Sequence, residues 1–467
     1  MHDLDPTTSA HERPAEDTTS DLVTPMRWFA RAFGIAVVAH LAGNRAGWRP
    51  GDESWPTALV AVSAVLGALA LVLVAAPRRR LLGGTAVLVL VSAWLELPEM
   101  GNHWLLVTFV ALAVLVSLAR DDSWAWLAVT GRWVLLAFYS FAAFAKVNEG
   151  FMDPTVSCGV FYANQSLASF GLPTFSTGGV LGALAVAGPV LVELSVPILL
   201  LVRRTRTAGV LLALGFHTLI SLDFAQHFYD FTAALMMLLL LFAPDDTTAD
   251  LERRAARASL ARSLMLVLAA TVVAASVLPL SVTTVVIVRV FGFGLWVAYA
   301  AWLIVRVARH GLATTATPMR AGSVATWLIV AGVVANGLTP YLELKTGMGF
   351  NMYANLRTVA GESNHLVVRR TMHLSHVQDR LLEVVESDDE GLALYADEGY
   401  LIPERNLLDY LARHPSATVV VRDNGAERLL DTSDGEQMSV LETKLQLFRA
   451  VDTQDPPRCQ PVWLPAR

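Results

Sequence analysis

Long apolar runs dominate the chain up to about residue 336, and their length predicts membrane-spanning helices. About eleven runs, separated by short polar loops, approach the roughly 20 apolar residues that cross a bilayer as a helix. They lie at 25–42, 55–76, 81–97, 103–119, 126–145, 180–202, 207–222, 224–243, 260–280, 286–307 and 321–336. The pattern predicts an all-α polytopic membrane helix bundle of about 10–11 spans over residues 25–337.

The two ends of the chain lack such runs. Residues 1–24 are rich in Asp, Glu, Ser and Thr, which predicts a disordered tail. Residues 338–467 have an ordinary mixed composition and predict a small soluble α+β domain. Its predicted elements are strands at 365–370 and near 392–395, a helix at 404–414, a hairpin pairing 418–422 with 428–430, and an amphipathic helix at 439–448.

Arginine-rich loops alternate along the bundle and predict its orientation. Clusters such as Arg78-Arg79-Arg80 and Arg203-Arg204 follow every second predicted span, and basic loops stay on the cytoplasmic side of a membrane. We therefore expect a multi-pass protein of the cell membrane with a cytoplasmic N-terminal tail. With an odd number of spans, the C-terminal domain is extracytoplasmic.

Composition narrows the class of protein further. Of the 467 residues, 54% are apolar and 16% charged, whereas a soluble domain carries roughly a quarter charged residues. A purely soluble or disordered protein is therefore excluded. The formal net charge of -6, with the bundle's basic residues in short loops, argues against a nucleic-acid partner and leaves membrane lipids as the expected partners.

Ionisable and amide side chains gather at the predicted outer ends of three helical hairpins. Such groups are costly in a membrane and usually face a bundle interior or a wet cavity. We predict that a substrate cavity is lined by Asn102, Asn148, His217, Asp223 and His227. Three further ionisable groups lie alone in or near spans, namely His40, Glu96 and Glu193. Hydrogen bonding between helices is the default interpretation of such residues, and a proton path is the alternative.

Lys146 stands out because the chain uses arginine almost everywhere else. Only three of the 35 basic residues are lysine, at positions 146, 345 and 444. An amine buried in apolar surroundings can lose its proton and act as a general base, whereas a guanidinium stays charged. The alternative is a lysine at a helix end whose ammonium reaches the lipid headgroups. The residues alone leave both interpretations open.

Three motifs resemble a known family. Gly101-Asn102-His103-Trp104, the stretch Phe138–Asn148 and Phe216-His217 followed by Phe231–Pro244 resemble the vitamin K-dependent gamma-glutamyl carboxylase-like proteins, also called the horizontally transferred transmembrane (HTTM) domain family. The resemblance covers roughly residues 27–243. It rests on the order and spacing of the three motifs.

The resemblance implies a specific chemistry. In the carboxylase, a lysine at the position of Lys146 takes a proton from a hydroquinone, which then reacts with oxygen to give a strong base. That base removes a proton from a glutamyl side chain, which adds carbon dioxide. The residue matched by His103 supports the lysine or the oxygenated species. The implied co-reactants are a reduced quinone, O2 and, for carboxylation, CO2, with a peptide or protein substrate at the outer face.

Further predictions concern a disulfide, the remaining histidines and the segment after the last span. Both cysteines, Cys158 and Cys459, fall on the predicted outer side, where an oxidising setting favours a disulfide between them. No metal cofactor is expected; a metal at His217 and His227 is the less favoured alternative to a hydrated turn. His373 and His376 are predicted to lie on the surface. The segment 347–365 is predicted either to cover the outer face of the bundle or to be a linker.

The sequence thus favours a membrane enzyme that deprotonates and oxygenates a quinol-type lipid at an outward-facing cavity, with Lys146 as base and His103 as its partner. Carboxylation is an optional further step that the resemblance implies. The main alternative is a non-catalytic protein that uses the same bundle to bind a lipid or a partner. A proton-coupled transporter is a third and weaker hypothesis, because the sequence shows no inverted repeat that would favour it.

Overall fold

A computed structural model describes residues 22–44, 57–98, 100–223, 228–257, 259–275, 278, 281–311, 319–320 and 322–460. These residues form a mostly helical structure with a small sheet near the C-terminus. Most of the predicted N-terminal tail, residues 1–21, lies outside the described residues. So does His227, one of the predicted substrate-binding residues.

Each of the predicted apolar runs overlaps a helix. The helices of this region are α1 (Thr24–Asn44), α2 (Thr57–Ala75), α3 (Arg79–Glu96), α4 (Asn102–Leu118), α5 (Ser123–Ala145), α6 (Glu149–Met152), α7 (Cys158–Ser169), α8 (Val180–Leu201), α9 (Arg206–Ile220), α10 (Tyr229–Leu239), α11 (Asp245–Arg257), α12 (Ser259–Ala275), α13 (Val282–Gly311) and α14 (Val324–Leu338). A short 3-10 turn, Leu240–Phe242, continues α10.

Four of the described helices, α2, α5, α8 and α13, are long and apolar enough to cross a membrane. Several others, including α4, α9, α10 and α14, are apolar but shorter. Close approaches between helices depend on small residues, as is usual in membrane bundles. A Cβ on Gly34 would lie 2.8 Å from Val74 of α2, and one on Gly337 would lie 2.3 Å from the Phe141 ring of α5.

The C-terminal region contains a small antiparallel sheet covered by helices. Its elements are β1 (Thr358–Val359), β2 (Glu362–Ser363), β3 (Leu381–Ser387), α15 (Glu390–Glu398), β4 (Tyr400–Pro403), α16 (Glu404–Arg413), β5 (Val419–Asp423), β6 (Ala426–Leu430), α17 (Val440–Leu445) and β7 (Val451–Asp452). The five-stranded sheet has the order β6-β5-β3-β4-β7. Leu382, Ile402 and Val419 lie in its buried core with Leu392 and Tyr395 of α15.

The predicted helix at 404–414 and the predicted hairpin are confirmed as α16 and β5-β6. Asn424 and Gly425 occupy the turn with φ of 50° and 84°, as a tight hairpin turn requires. The predicted strand near 392–395 is wrong, because these residues lie in α15. Asp389 caps that helix by accepting a hydrogen bond from the Leu392 amide, and Gly399 ends it in the left-handed conformation.

Two further predictions need correction. Residues 365–370 do not form a strand of the sheet; His365 and Arg370 make only isolated bridges, to Asn148 and Glu362. The helix predicted at 439–448 is shorter, since α17 spans Val440–Leu445. Leu447 and Phe448 follow the helix and are buried. The apolar spacing therefore identified residues that pack in the core, although they are not helical.

The C-terminal region is attached to the helical bundle at several points. Cys158, at the start of α7, forms a disulfide with Cys459, which is the pairing expected from the sequence. The Lys444 ammonium donates hydrogen bonds to the carbonyls of Trp94 and Leu97 at 2.8 and 2.9 Å. The sheet domain is therefore held against the end of the bundle where α3 ends and α4 begins.

Candidate functional site

Five ionisable side chains lie buried at one end of the bundle, where α1, α5 and α9 end and α4 and α10 begin. They are His40, His103, Lys146, His217 and Asp230, and we call this region the polar end. None is more than 9% exposed. The polar end faces the C-terminal region, so the three predicted hairpins do bring their polar groups to one side of the bundle.

Lys146 follows α5 and pairs with a carboxylate from α8. Its Nζ lies 2.7 Å from Glu193 Oε2 and 3.3 Å from the carbonyl of Ala142. Lys146 is 9% exposed and Glu193 7%, so the ammonium is enclosed by the protein and does not extend outward from the helix end. The lysine and the carboxylate form a buried acid–base pair.

His217 and Tyr139 form a second buried pair beside the first. The Tyr139 hydroxyl lies 2.5 Å from His217 Nε2. Lys146 is close enough to His217, and Glu193 to Tyr139, for their charges to interact. If the phenol donates to Nε2, a neutral His217 carries its proton on Nδ1. That nitrogen is buried and has no hydrogen-bond partner among the described residues.

His103 belongs to a different group from Lys146. Its Nε2 lies 2.9 Å from Asp230 Oδ2 of α10, and Asp230 also contacts the Asn44 amide. The Phe231 ring separates this group from the other pair, with ring centroids 6.1 Å from His103 and 5.3 Å from His217. The sequence predicted His103 as the partner of Lys146, whereas the structure gives that contact to Glu193.

His40 and Glu96 extend the polar end on the other side of His103. His40 Nε2 lies 3.1 Å from Glu96 Oε2, and Ser92 donates to the same carboxylate at 2.6 Å. The His40 ring stacks on Trp104 at a centroid distance of 3.6 Å. His40, His103 and Asp230 form one of two groups of potential metal ligands in the described chain, the other being His373, His376 and Asp379.

The segment 347–365 covers the polar end and is named here the cap segment. The Phe350 amide donates to Asn102 Oδ1 at 2.8 Å, and the Phe350 ring lies 5.0 Å from that of Phe138. Asn102 therefore binds the cap segment. Five non-glycine residues of the segment have positive φ, namely Met348, Phe350, Tyr353, Asn355 and Ala360. Such conformations persist where the surrounding packing holds them.

Asn148 has a comparable structural contact set. Its side-chain amide donates to the carbonyls of Ala145 and Ala354. Its oxygen accepts from the Phe151 amide and from Asn364. All four hydrogen-bonding positions are used, so a substrate contact at Asn148 would have to replace one of them.

Asp223 is buried near α7, where Gln165 and Ser166 donate to it at 3.4 Å. It lies after α9 and so extends the polar end toward the helix that carries Cys158. The sequence grouped Asp223 with His217 and His227; the first two are placed by the structure, and His227 is outside the described residues.

An apolar cavity of about 160 Å³ lies between α1, α2, α10, α12 and α13. Ile35, Leu71, Trp296 and Tyr299 line it together with Tyr229, which precedes Asp230 in α10. The cavity therefore adjoins the polar end. Its apolar walls suit a lipid chain or a nonpolar ring.

Sequence reasoning did not identify Glu193 or Tyr139 as site residues. Glu193 was noted only as an isolated acid within a span, and Tyr139 lies inside a motif used for the family resemblance. An acidic residue in the middle of an apolar helix indicates a buried partner. Nothing in the sequence, however, specifies which cation that partner is, since 47 residues separate Glu193 from Lys146.

The contact between the buried Glu343 carboxylate and His373 lies outside the helices and depends on pH. Glu343 is fully buried and lies 2.6 Å from His373 Nδ1, while Asp379 lies 2.7 Å from Nε2. Burial lowers the pKa of His373, but the neighbouring charges and hydrogen bonds of Glu343 and Asp379 outweigh it and raise the pKa above its usual value.

We predict that this contact weakens with rising pH. A raised pKa in the folded state means that the stabilisation is complete below about pH 6.5 and is lost as the pH rises through the folded value. Melting temperatures of the wild type and of His373→Gln, measured from about pH 6 to pH 9, should converge at high pH. A constant difference across that range would contradict the assignment.

Comparisons with protein-family models, with curated proteins and with solved structures found no match.

Proposed function

We propose that this chain is a polytopic membrane enzyme that removes a proton from the hydroxyl of a quinol-type lipid. The observation that carries the proposal is the buried Lys146–Glu193 pair, with Nζ and Oε2 2.7 Å apart. Burying two opposite charges is costly, and buried, paired ionisable groups in a membrane protein usually have a functional role. Proton exchange between this pair and a substrate would explain why both charged groups are buried.

The two residues can act in sequence. Glu193 accepts a proton from the Lys146 ammonium, and the resulting amine accepts the proton of the substrate hydroxyl. At the end Glu193 is neutral, Lys146 is again an ammonium, and the substrate oxygen carries the negative charge beside it. The total charge is unchanged, so no isolated charge is created in a site of low dielectric constant.

His217 and Tyr139 support substrate binding in this proposal. His217 Nδ1 is a buried donor without a described partner, and it can donate a hydrogen bond to the substrate oxygen. Tyr139 holds the ring through Nε2 at 2.5 Å. His103 acts with Asp230 on the other side of Phe231, so its predicted support of Lys146 would be indirect.

The resemblance to the carboxylase-like HTTM proteins supplies the remainder of the proposal. A reduced quinone would provide the acidic hydroxyl and, with O2, the strong base that carboxylation by CO2 needs. A phenolic hydroxyl with a pKa of roughly 10 is within reach of an amine base. A peptide or protein substrate would approach from the side of the C-terminal region.

Topology belongs to the same proposal. We infer about 10–11 spans, a cytoplasmic N-terminus and an extracytoplasmic C-terminal domain in the cell membrane. The four long apolar helices support a membrane location, and the alternating arginine loops support the orientation. The disulfide Cys158–Cys459 supports an oxidising compartment for the C-terminal region, since cytosolic thiols are kept reduced.

The experiment is a turnover assay on the full chain in lipid nanodiscs. Purified protein is mixed with chemically reduced vitamin K and O2, and oxygen uptake and quinone epoxide are measured. Uptake above a protein-free control, with epoxide formed, supports the proposal. Absence of both at saturating hydroquinone overturns it.

The apolar cavity beside Tyr229 favours a second candidate, a non-catalytic lipid-binding protein. Native mass spectrometry of the purified protein would then show a retained quinone or phospholipid without turnover. Ala39→Trp, which places a large side chain in the cavity wall, should remove the bound lipid. Retention of the lipid in this variant would exclude the cavity as its site.

A further inference from the structure

We infer that His40, His103 and Asp230 bind a divalent transition-metal ion inside the polar end. Three separate helices, α1, α4 and α10, bring one potential ligand each to this point, and their ligand atoms all lie within 4.8 Å of one another. The three residues are 2%, 6% and 6% exposed. This inference is independent of the proposed chemistry at Lys146 and runs against the expectation, drawn from the sequence, that no metal is bound.

The contact between His103 and Asp230 brings two potential metal-ligand atoms side by side. Nε2 and Oδ2 are 2.9 Å apart, yet neither nitrogen of His103 makes a geometrically acceptable hydrogen bond within the described chain. A buried imidazole without such bonds has lost its hydration without replacement, which costs free energy. A metal ion bound by both atoms would compensate for that loss.

His40 is already oriented as a metal ligand. Its Nε2 faces the Glu96 carboxylate at 3.1 Å, and Ser92 holds that carboxylate at 2.6 Å. The Asn44 amide nitrogen, a donor, lies 3.2 Å from Nδ1, so Nδ1 carries the lone pair. A histidine that gives one N–H to a carboxylate is oriented as metal-ligating histidines usually are, and an ion at His40 Nδ1 would take the place of the Asn44 amide.

Neighbouring residues leave space for these rings and hold them in place. A Cβ on Gly101 would lie 2.7 Å from the His103 ring, and one on Gly43 would lie 3.4 Å from the Asp230 carboxylate. Stacking on Trp104 at 3.6 Å fixes the plane of His40. The three ligands are therefore positioned by packing before any ion binds.

The donor set indicates the class of metal. Two imidazoles and one carboxylate suit Zn²⁺ or Fe²⁺ and do not suit Mg²⁺ or Ca²⁺, which prefer oxygen ligands. Three protein ligands leave coordination positions open, as in catalytic zinc sites and in the Fe²⁺ sites that react with O2. Asn44 and the apolar cavity beside Tyr229 lie next to this group.

The test is metal content, which does not depend on any activity. The full chain is expressed with zinc and iron supplied, purified without chelators, and analysed by mass spectrometry for metals. We expect about one ion per chain in the wild type. Asp230→Asn and His103→Ala should each lower this at least 10-fold. The matched control His217→Ala, a buried histidine on the other side of Phe231, should retain the metal.

Cobalt binding to the wild type covers the case in which the variants fail to fold. Metal-depleted protein is titrated with Co²⁺, and visible absorption of a low-symmetry site is expected to saturate at about one equivalent. Glu96→Gln, which keeps the size of the side chain, should weaken binding about 10- to 100-fold. Wild-type protein that holds neither zinc nor iron and gives no saturable cobalt signal would overturn the inference, as would folded Asp230→Asn with full metal content.

Discussion

Lys146→Met is expected to lower hydroquinone-dependent oxygen uptake by about 100- to 10,000-fold, the usual contribution of a general acid–base residue. Methionine matches the length of the lysine stem and removes only the amine. The proton of the substrate hydroxyl then has no acceptor between the substrate and Glu193. The measurement is the turnover assay in nanodiscs, at hydroquinone concentrations that saturate the wild type.

The same substitution should also reduce stability. It leaves the Glu193 carboxylate buried without its cation, and breaking a buried ion pair in this way costs about 3–5 kcal/mol. The double variant Lys146→Met/Glu193→Gln removes the unpaired charge and should recover most of the melting temperature while remaining inactive. Stability and activity are thereby separated.

Lys345→Met is the matched control. Lys345 is partly buried, and burial lowers its pKa to about 8, but it lies beyond α14 and outside the polar end. We expect full oxygen uptake in this variant. Full uptake in the folded Lys146→Met/Glu193→Gln protein would exclude the pair from the chemistry, whereas equal losses in Lys345→Met would point to a general effect of removing lysines.

Replacing both cysteines by alanine is expected to destabilise the attachment of the C-terminal region by about 2–5 kcal/mol. The disulfide joins residues 301 positions apart, so it restricts the unfolded chain strongly. It also holds the C-terminus beside α7, where Asn355 of the cap segment accepts from the Cys158 amide at 2.9 Å. Loss of the bond should increase hydrogen exchange in residues 347–365.

Reductant provides the control for this second prediction. Wild-type protein treated with dithiothreitol should show the increased exchange of the Cys158→Ala/Cys459→Ala variant, while the variant should not respond. Exchange in α2, which is remote from the bond, should stay constant. Unchanged exchange of the cap segment in the variant would show that its packing on Asn102 and Phe138 is sufficient without the disulfide.

The positions of the helices follow closely from the sequence. The predicted run 126–145 corresponds to α5, Ser123–Ala145, and the run 180–202 corresponds to α8, Val180–Leu201. Runs of this length have no other way to satisfy their backbone hydrogen bonds in an apolar environment. In the C-terminal region the same reasoning was weaker, because a short apolar stretch such as 392–395 fits a strand or a helix until its packing is known.

The residues of the candidate site could be predicted from the sequence only in part. Lys146 could be singled out because lysine is rare in this chain, and His103 and His217 because they lie in motifs with recognisable spacing. Their partners could not. Asp230 meets His103, and Glu193 meets Lys146, only because α10 packs on α4 and α8 packs on α5.

The sequence by itself therefore determined where the long apolar helices lie, which cysteines are available to pair, and which polar residues are costly to bury. Those properties depend on hydrophobic length, residue type and local turn chemistry, all of which are local along the chain. The tertiary structure alone decided that Lys146 pairs with Glu193, that His103 joins His40 and Asp230, and that the cap segment covers them. These contacts depend on how helices distant in sequence pack together, and the relative positions of packed helices are set by the shapes of whole surfaces.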